Sequence, residues 1–240
     1  MQDEVPIPTY EDLKNEDPLK ERVLEQLLVG ITTRKYQASL ETEAIKTIEL
    51  NSRAISKSAV SRRFVALTEE RLIQWMSRPL DDLKIVALFI DGTEFGEHTI
   101  VTAMGIDQEG KKHILGAWEG ATENSQVVGI LVSDLMERGL KVDEDSTLFV
   151  IDGSKPLHKT IKQAFGEGVR IQRCQRHKIE NVKRHLPKGL QTSVELTMRQ
   201  AYQSEDVNTA KRILTNLASR LEVDHPGASI GLREGLEETL

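Results

Sequence analysis

KIVALFIDG, residues 84–92, decides how this chain is read. After Lys84 it is apolar without alternation up to Ile90, the pattern of a strand covered on both faces. It ends on Asp91-Gly92. Further along, TLFVIDG (147–153) repeats the arrangement and ends on Asp152-Gly153. In open sheets, ligands bind beyond the carboxyl ends of the strands. Two carboxylates brought together there repel each other unless a positive charge lies between them. A divalent metal suits that place, since Mg²⁺ prefers oxygen ligands and keeps several waters. Paired metals can also activate an attacking oxygen and stabilise a leaving one in phosphoryl transfer. The plainer alternative is that each aspartate closes a turn with its glycine, a common role for Asp-Gly. The residues by themselves leave both readings open.

Working outward, residues 99–106 and 113–118 are strand candidates, joined by a hairpin-like turn from Asp107 to Lys112 with Gly110 late in the loop. Thr122 is placed to cap a helix running through Arg138, with Val127, Val128, Ile130, Leu131 and Leu135 as its buried stripe and Gly139 as its stop. Ser154 is placed to cap a second helix, with Pro156 in its first turn and its end at Gly166. A strand over 169–173 and a helix to about Leu186 follow. The order β-β-β-α-β-α-β-α predicts an α/β fold, a mixed sheet with helices on its faces. Everything after Pro187 reads as helical: 195–202, 207–221 and a segment from Ile230.

The N-terminal part has a different character. Residues 1–18 are acidic and proline-bearing and read as an extended arm. Helices over 19–29 and 40–50, a turn over 51–56 and a helix over 58–67 make a helix-turn-helix. Its last helix offers Lys57, Ser58, Ser61, Arg62 and Arg63, a polar face suited to the major groove of DNA.

At 240 residues, 38% hydrophobic and 29% charged, the chain belongs to the soluble globular class. No apolar run is long enough to span a membrane, and the acidic N-terminus lacks the apolar core of a signal peptide. A single cysteine, Cys174, excludes an intrachain disulfide and fits a reducing compartment, so a cytoplasmic location is expected. The net charge of −6 argues against nucleic-acid binding only if it is spread evenly. It is not. Residues 51–78 carry six lysines and arginines against two acids, and 153–188 carry ten against two. Between them, 79–152 carries five against fifteen.

The second basic block contains RIQRCQRHKIENVKRH (170–185), with Cys174 and His177 three apart where a strand gives way to a helix. They could form half of a zinc site, for which His158 and His185 are the convenient further ligands. Arg173, Arg176 and Lys178 suit phosphate contacts, which position DNA without reading its sequence.

These residues resemble a known family. SKSAVSRRF (56–64), LFIDGTEFGEHTI (88–100), GIDQEGKKHILGAWEGATEN (105–124), LFVIDGSKPLHKTIKQAFG (148–166), IQRCQRHKIENVKRHLP (171–187) and GASIGLREGLEETL (227–240) are similar to bacterial transposases of the Mutator class. The resemblance implies an RNase H-like catalytic core interrupted by a helical insertion, and a DDE triad that holds two Mg²⁺ (or Mn²⁺) ions. It matches Asp91 and Asp152 to the first two carboxylates, and Cys174 and His177 to an accessory C-x-x-H signature. The implied activity is cleavage at insertion-sequence ends and strand transfer into target DNA, with a hydroxyl attacking a phosphodiester in line. The implied partners are element-end and target DNA and a second copy of the chain, in the bacterial cytoplasm at the nucleoid, with no membrane.

The expected organisation is a DNA-binding segment over 1–78, an RNase H-like core over 79–188 and the start of an all-helical insertion over 189–240. The third carboxylate of such transposases is a glutamate in an Asn-x-x-Glu context beyond LREGLEETL. None of Glu195, Glu205, Glu222, Glu234, Glu237 and Glu238 sits in that context, so it is expected outside these 240 residues. That leaves a rival expectation, a DNA-binding remnant that occupies element ends without cutting. Both readings predict salt-sensitive DNA binding. If the two basic segments meet about six phosphates, log affinity falls against log salt with a slope near −5. Titrating element-end DNA between low and moderate salt checks this, and a flat response would remove DNA from the account.

Overall fold

The structure, a computed structural model, describes residues 20–39, 55–122, 124–143 and 145–240. The chain falls into two compact units, Met1–Ser77 and Arg78–Leu240. In the first unit, α1 (Lys20–Leu28), α2 (Tyr36–Ser39) and α3 (Lys57–Met76) surround a small core of Val23, Tyr36, Ile55 and Val60, with Leu27 and Phe64 against it. The helix expected over 40–50, and with it the complete helix-turn-helix, lies outside the described residues. Ser56 caps α3 with extended backbone, its hydroxyl accepting from Ala59 N at 3.4 Å. The helix then passes the expected end at Leu67, because TEERLIQWM contains no residue that stops it. Pro79, just beyond, disfavours helical backbone in the residue before it.

In the second unit β1 (Ile85–Phe95), β2 (His98–Asp107), β3 (Lys112–Glu119), β4 (Leu148–Ile151) and β5 (Arg170–Arg173) form one sheet in the order β3-β2-β1-β4-β5. The first three strands are an antiparallel meander, while β4 runs parallel to β1 and β5 parallel to β4. Helices α4 (Ser125–Glu137), α5 (Lys155–Phe165) and α6 (Gln175–Arg184) follow β3, β4 and β5. This is the mixed sheet with accompanying helices expected from the strand and helix order. Leu88, Ile90, Val101, Leu115, Phe149 and Ile151 of the sheet share one core with Val128, Leu131 and Leu135 of α4 and with Leu157 and Ile161 of α5.

Two differences from expectation in this unit matter for the site. β1 does not stop before Asp91. Its ladder with β2 continues through Asp91↔Thr102 to Phe95↔His98, so the meander holds the aspartate inside a strand. Nor is Thr122 the cap of α4. Asn124 takes that role, its side chain accepting from Gln126 N and Val127 N, and the Thr122 hydroxyl donates to Asp152 instead.

The C-terminal helices α7 (Lys188–Tyr202), α8 (Val207–Leu221) and α9 (Pro226–Arg233) enclose a second core, ending in a 3₁₀ turn over Glu237–Thr239. Ile179 and Val182 of α6 belong to this core, packed with Val194, Met198, Leu214, Leu217 and Leu232. The segment after α9 returns to the sheet's edge. Gln172 and Gln175 donate to the Thr239 carbonyl at 3.4 and 2.9 Å, and Arg173 and Lys178 donate to that of Glu234. No described helix is long and apolar enough to cross a membrane.

Lys178 is only 2% exposed. Burial, and secondarily the neighbouring Arg173 charge, lowers its pKa from 10.5 to about 8. Below about pH 8 the folded and unfolded chains both carry this proton, and the cost of burying the charge is present in full. Between there and 10.5 the folded chain has released the proton while the unfolded chain still holds it, so stability gains with rising pH. Relative to Lys178→Met, the wild-type chain should gain on the order of 2–3 kcal/mol between pH 7 and 10. Denaturant titrations of both proteins across that range check this, and a gap that stays constant with pH would contradict it.

Candidate active site

The site rests on strand register. β1 and β4 pair in parallel from Ala87↔Leu148 to Ile90↔Ile151, so the next residues, Asp91 and Asp152, stand side by side at the end of the paired stretch. The sheet then treats them differently. β1 runs on beside β2, whereas β4 stops, and Asp152 enters a turn.

That turn holds both oxygens of Asp152. Ser154 N donates to Oδ1 at 2.9 Å, and the Thr122 hydroxyl donates to Oδ2 at 2.8 Å. Ser154 in turn donates its hydroxyl to the Thr122 carbonyl at 2.6 Å and accepts from Leu157 N, capping α5 as expected. For Asp152 the turn-forming role of Asp-Gly is therefore met, while both carboxylate oxygens keep a lone pair for a further partner. At Asp91 there is no such turn. Its side chain is 51% exposed, and Oδ1 lies 3.6 Å from Nε2 of His177.

His177 reaches Asp91 because the start of α6 is pinned to β4. Cys174 N donates to the Ile151 carbonyl at 2.7 Å, and Cys174 takes the N-cap position with no side-chain cap bond. In the C-x-x-H pair, the cysteine backbone fixes the turn and the histidine ring faces the site. Nδ1 of His177 is buried without a hydrogen-bond partner. A buried N–H without an acceptor is costly, so the neutral ring favours its proton on Nε2, on the side of Asp91.

The remaining sequence-stated candidates divide. Lys57, Ser58 and Arg62 are exposed on α3 of the first unit, where Ser61 and Arg63 are half-buried. Arg176 is exposed on α6. Lys178 is not open to phosphate in this arrangement, contrary to expectation, and Arg173 is largely covered although it lines the groove beside Asp152. The Arg173 side chain is 14% exposed and lies 3.7 Å from the Glu234 carboxylate, while Lys178 is buried against the Glu234 carbonyl. Both cations are turned toward the segment after α9, a neighbour that local spacing does not reveal.

Residues that sequence reading passed over take part instead. Local pattern marks Thr122 only as a helix cap and gives no signal for Lys155 or Asn181. With Asp152, Ser154 and Arg173, Lys155 and Asn181 line an open groove. Among the described residues, no group of three or more His, Cys, Asp and Glu side chains is placed to hold a metal, so a zinc site on Cys174 and His177 gains no third ligand. Asp91 and Asp152 supply hard oxygen donors, the chemistry that suits Mg²⁺ or Mn²⁺.

A family model described as "Transposase, Mutator family" matches residues 9–240. Among known proteins, the chain is 28% identical to the transposase for insertion sequence element IS256 in transposon Tn4001 from Staphylococcus aureus, over 94% of this chain and 57% of that one. It is also 28% identical to a probable transposase for an insertion sequence element from Corynebacterium diphtheriae, over 77% of this chain and 52% of the relative. The chain thus spans little more than half the length of these relatives. Among solved structures, the catalytic core domain of BIV integrase covers 61% of this chain and 80% of its own, at 14% identity and a TM-score of 0.26.

Gly153, between the carboxylate and α5, has φ +126°, and a Cβ there would sit 2.6 Å from Nε of Arg173. Gly92, its counterpart after Asp91, has neither constraint: a Cβ would meet only ordinary contacts at 3.6 Å and beyond. Gly153→Ala should therefore destabilise the chain by on the order of 1–3 kcal/mol, while Gly92→Ala costs clearly less. Thermal unfolding of the two variants checks the difference, and equal effects would contradict it.

Proposed function

The chain belongs to the Mutator family of transposases, and from that premise we propose that Asp91 and Asp152 are two of the carboxylates of a metal-dependent DNA strand-transfer centre. The observation that carries this reading is the parallel β1–β4 ladder, which sets the two aspartates side by side at the carboxyl end of the paired strands. A site of two carboxylates suits Mg²⁺, which commonly takes one or two protein carboxylates and completes its shell with waters and substrate phosphate. Asp91 and Asp152 would hold the ions, two of them in this reading. The ions, when bound, supply activation of the attacking hydroxyl and stabilisation of the leaving oxygen.

The protein's own part is positioning. Asp152 is presented by a turn that fixes both its oxygens, and His177 stands beside Asp91 as a neighbouring donor rather than a ligand. Arg176, with Lys155 and Asn181 at the groove beside Asp152, is suited to the phosphates of a DNA strand. Lys57, Ser58 and Arg62, with Ser61 and Arg63 behind them, form the proposed DNA-reading face of α3. The substrates in this reading are insertion-sequence ends and target DNA, met as a homo-oligomer in the bacterial cytoplasm at the nucleoid.

Asp91→Asn and Asp152→Asn should each reduce Mn²⁺-dependent cleavage of element-end DNA to background while leaving DNA affinity within about twofold of wild type. Cleavage and binding are read on the same labelled duplex. Variants that cut as well as wild type would remove the two aspartates from the chemistry. A wild-type chain that binds the ends but never cuts them, with or without metal, would favour the binding-only reading.

A further inference from the structure

We propose that Thr122 is a positioning residue for Asp152, holding its carboxylate in the one orientation in which a divalent cation can be shared with Asp91. The inference deepens the reading above and rests on Asp152 being a metal ligand.

Thr122 lies in the GATEN turn between β3 and α4, and it is 3% exposed. A hydroxyl buried to that degree needs a partner. The one shown is Oδ2 of Asp152, thirty positions away, at 2.8 Å. The backbone of the same residue is also engaged, since its carbonyl accepts from the Ser154 hydroxyl at 2.6 Å. Thr122 and the Asp152–Ser154 turn are thus joined by two reciprocal bonds, one to the carboxylate and one to the residue that caps α5. On its other side, the Thr122 methyl lies 3.9 Å from where a Cβ on Gly92 would sit. One side chain therefore bonds Asp152 and lies near Gly92, the residue after Asp91.

The loop that carries Thr122 is itself braced. Gly120 N donates to the Thr99 carbonyl at 2.8 Å, and Asn124 N donates to that of Ala121 at 3.0 Å. Gly120 has φ +135°, and a Cβ there would fall 2.4 Å from a methyl of Val127, so the chain passes α4 at a separation only glycine allows. The hydroxyl position is consequently set by the sheet and α4, not by the side chain's own freedom.

The consequence for the carboxylate follows from its torsion. Rotation about the last bond of an aspartate is broad and poorly restrained by itself. Ser154 N holds one oxygen, and a carboxylate held at one oxygen can still swing the other. The Thr122 hydroxyl removes that freedom and leaves each oxygen a lone pair for a cation. Partners of this kind to a metal-binding carboxylate typically change metal affinity by about 10–100-fold when removed.

The test uses the full chain and Mn²⁺ alone, with free Mn²⁺ followed by electron paramagnetic resonance during titration. Thr122→Val keeps the shape and removes the hydroxyl, Thr122→Ala removes both, and Thr122→Ser restores the hydroxyl. Asp152→Asn reports on the site itself. The expected result is Mn²⁺ affinity lowered about tenfold or more in Thr122→Val and Thr122→Ala. Thr122→Ser should lie near wild type, and all variants should unfold in the same cooperative transition. Should Thr122→Val fail to fold, the pair Thr122→Ala and Thr122→Ser gives the same comparison. Wild-type affinity in the hydroxyl-free variants, alongside loss in Asp152→Asn, would overturn the role of Thr122 and leave the metal site standing. Loss in Thr122→Ser equal to that in Thr122→Ala would also overturn it, since packing rather than the hydroxyl would then be responsible. Mn²⁺ binding unaffected by Asp152→Asn would remove the metal site and the proposal together.

Discussion

The four-residue parallel ladder between β1 and β4 is the interaction on which the rest of the molecule depends. β4 is too short to define itself, and a parallel pair needs a long crossover to bring the chain back in the same direction. α4 supplies that crossover. Val128, Leu131 and Leu135 bury its apolar stripe against the sheet, in the core that also holds Phe149 and Ile151 of β4. The register that follows is what sets Asp91 beside Asp152, and a slip by one residue would turn one carboxylate into the apolar layer.

The same ladder explains why two similar Asp-Gly pairs end up in different surroundings. β1 is held on its other edge by β2 through ten pairings, five of them from Asp91 onward, so Asp91 stays in extended backbone with an exposed side chain. β4 has no antiparallel partner to carry it on, and its chain turns at Gly153 into α5. One carboxylate is thereby left open and the other is tied at both oxygens. An open carboxylate beside a fixed one suits the metal-binding role proposed for the pair.

The helical segment changes what the basic block after β4 can do. Arg173 and Lys178 are drawn inward to the carbonyl of Glu234, and Gln172 and Gln175 to that of Thr239. Four side-chain donors around the end of β5 thus hold the return of the helical bundle onto the sheet. Part of the positive charge that a sequence count assigns to a DNA surface is spent on internal architecture. The cationic surface left near the site is narrower, with Arg176 and Lys155 exposed. Because α6 contributes Ile179 and Val182 to the helical core while His177 on the same helix faces Asp91, packing in that bundle and geometry at the site share one element.

Much of this could be read without a structure, because the signals are local. Uninterrupted apolar runs marked β1 and β4, Ser154 and Pro156 marked the start of α5, and Gly166 its end. The family was equally legible, since its motifs are contiguous strings. What local pattern could not carry were facts that depend on a neighbour distant in sequence. Asp91 lies inside its strand because β2 extends the ladder past it, and no property of FIDG announces that. Thr122 reads as a helix cap in isolation, and only the approach of the turn after β4 makes its hydroxyl a partner of Asp152. Lys178 reads as a surface cation on a polar helix, and only the docking of the segment after α9 buries it. The sequence by itself determined the elements of the sheet, their order and the two carboxylates that follow its apolar runs. Tertiary structure alone decided what each polar side chain faces, because a hydrogen bond or a burial is set by whichever element folds against that residue.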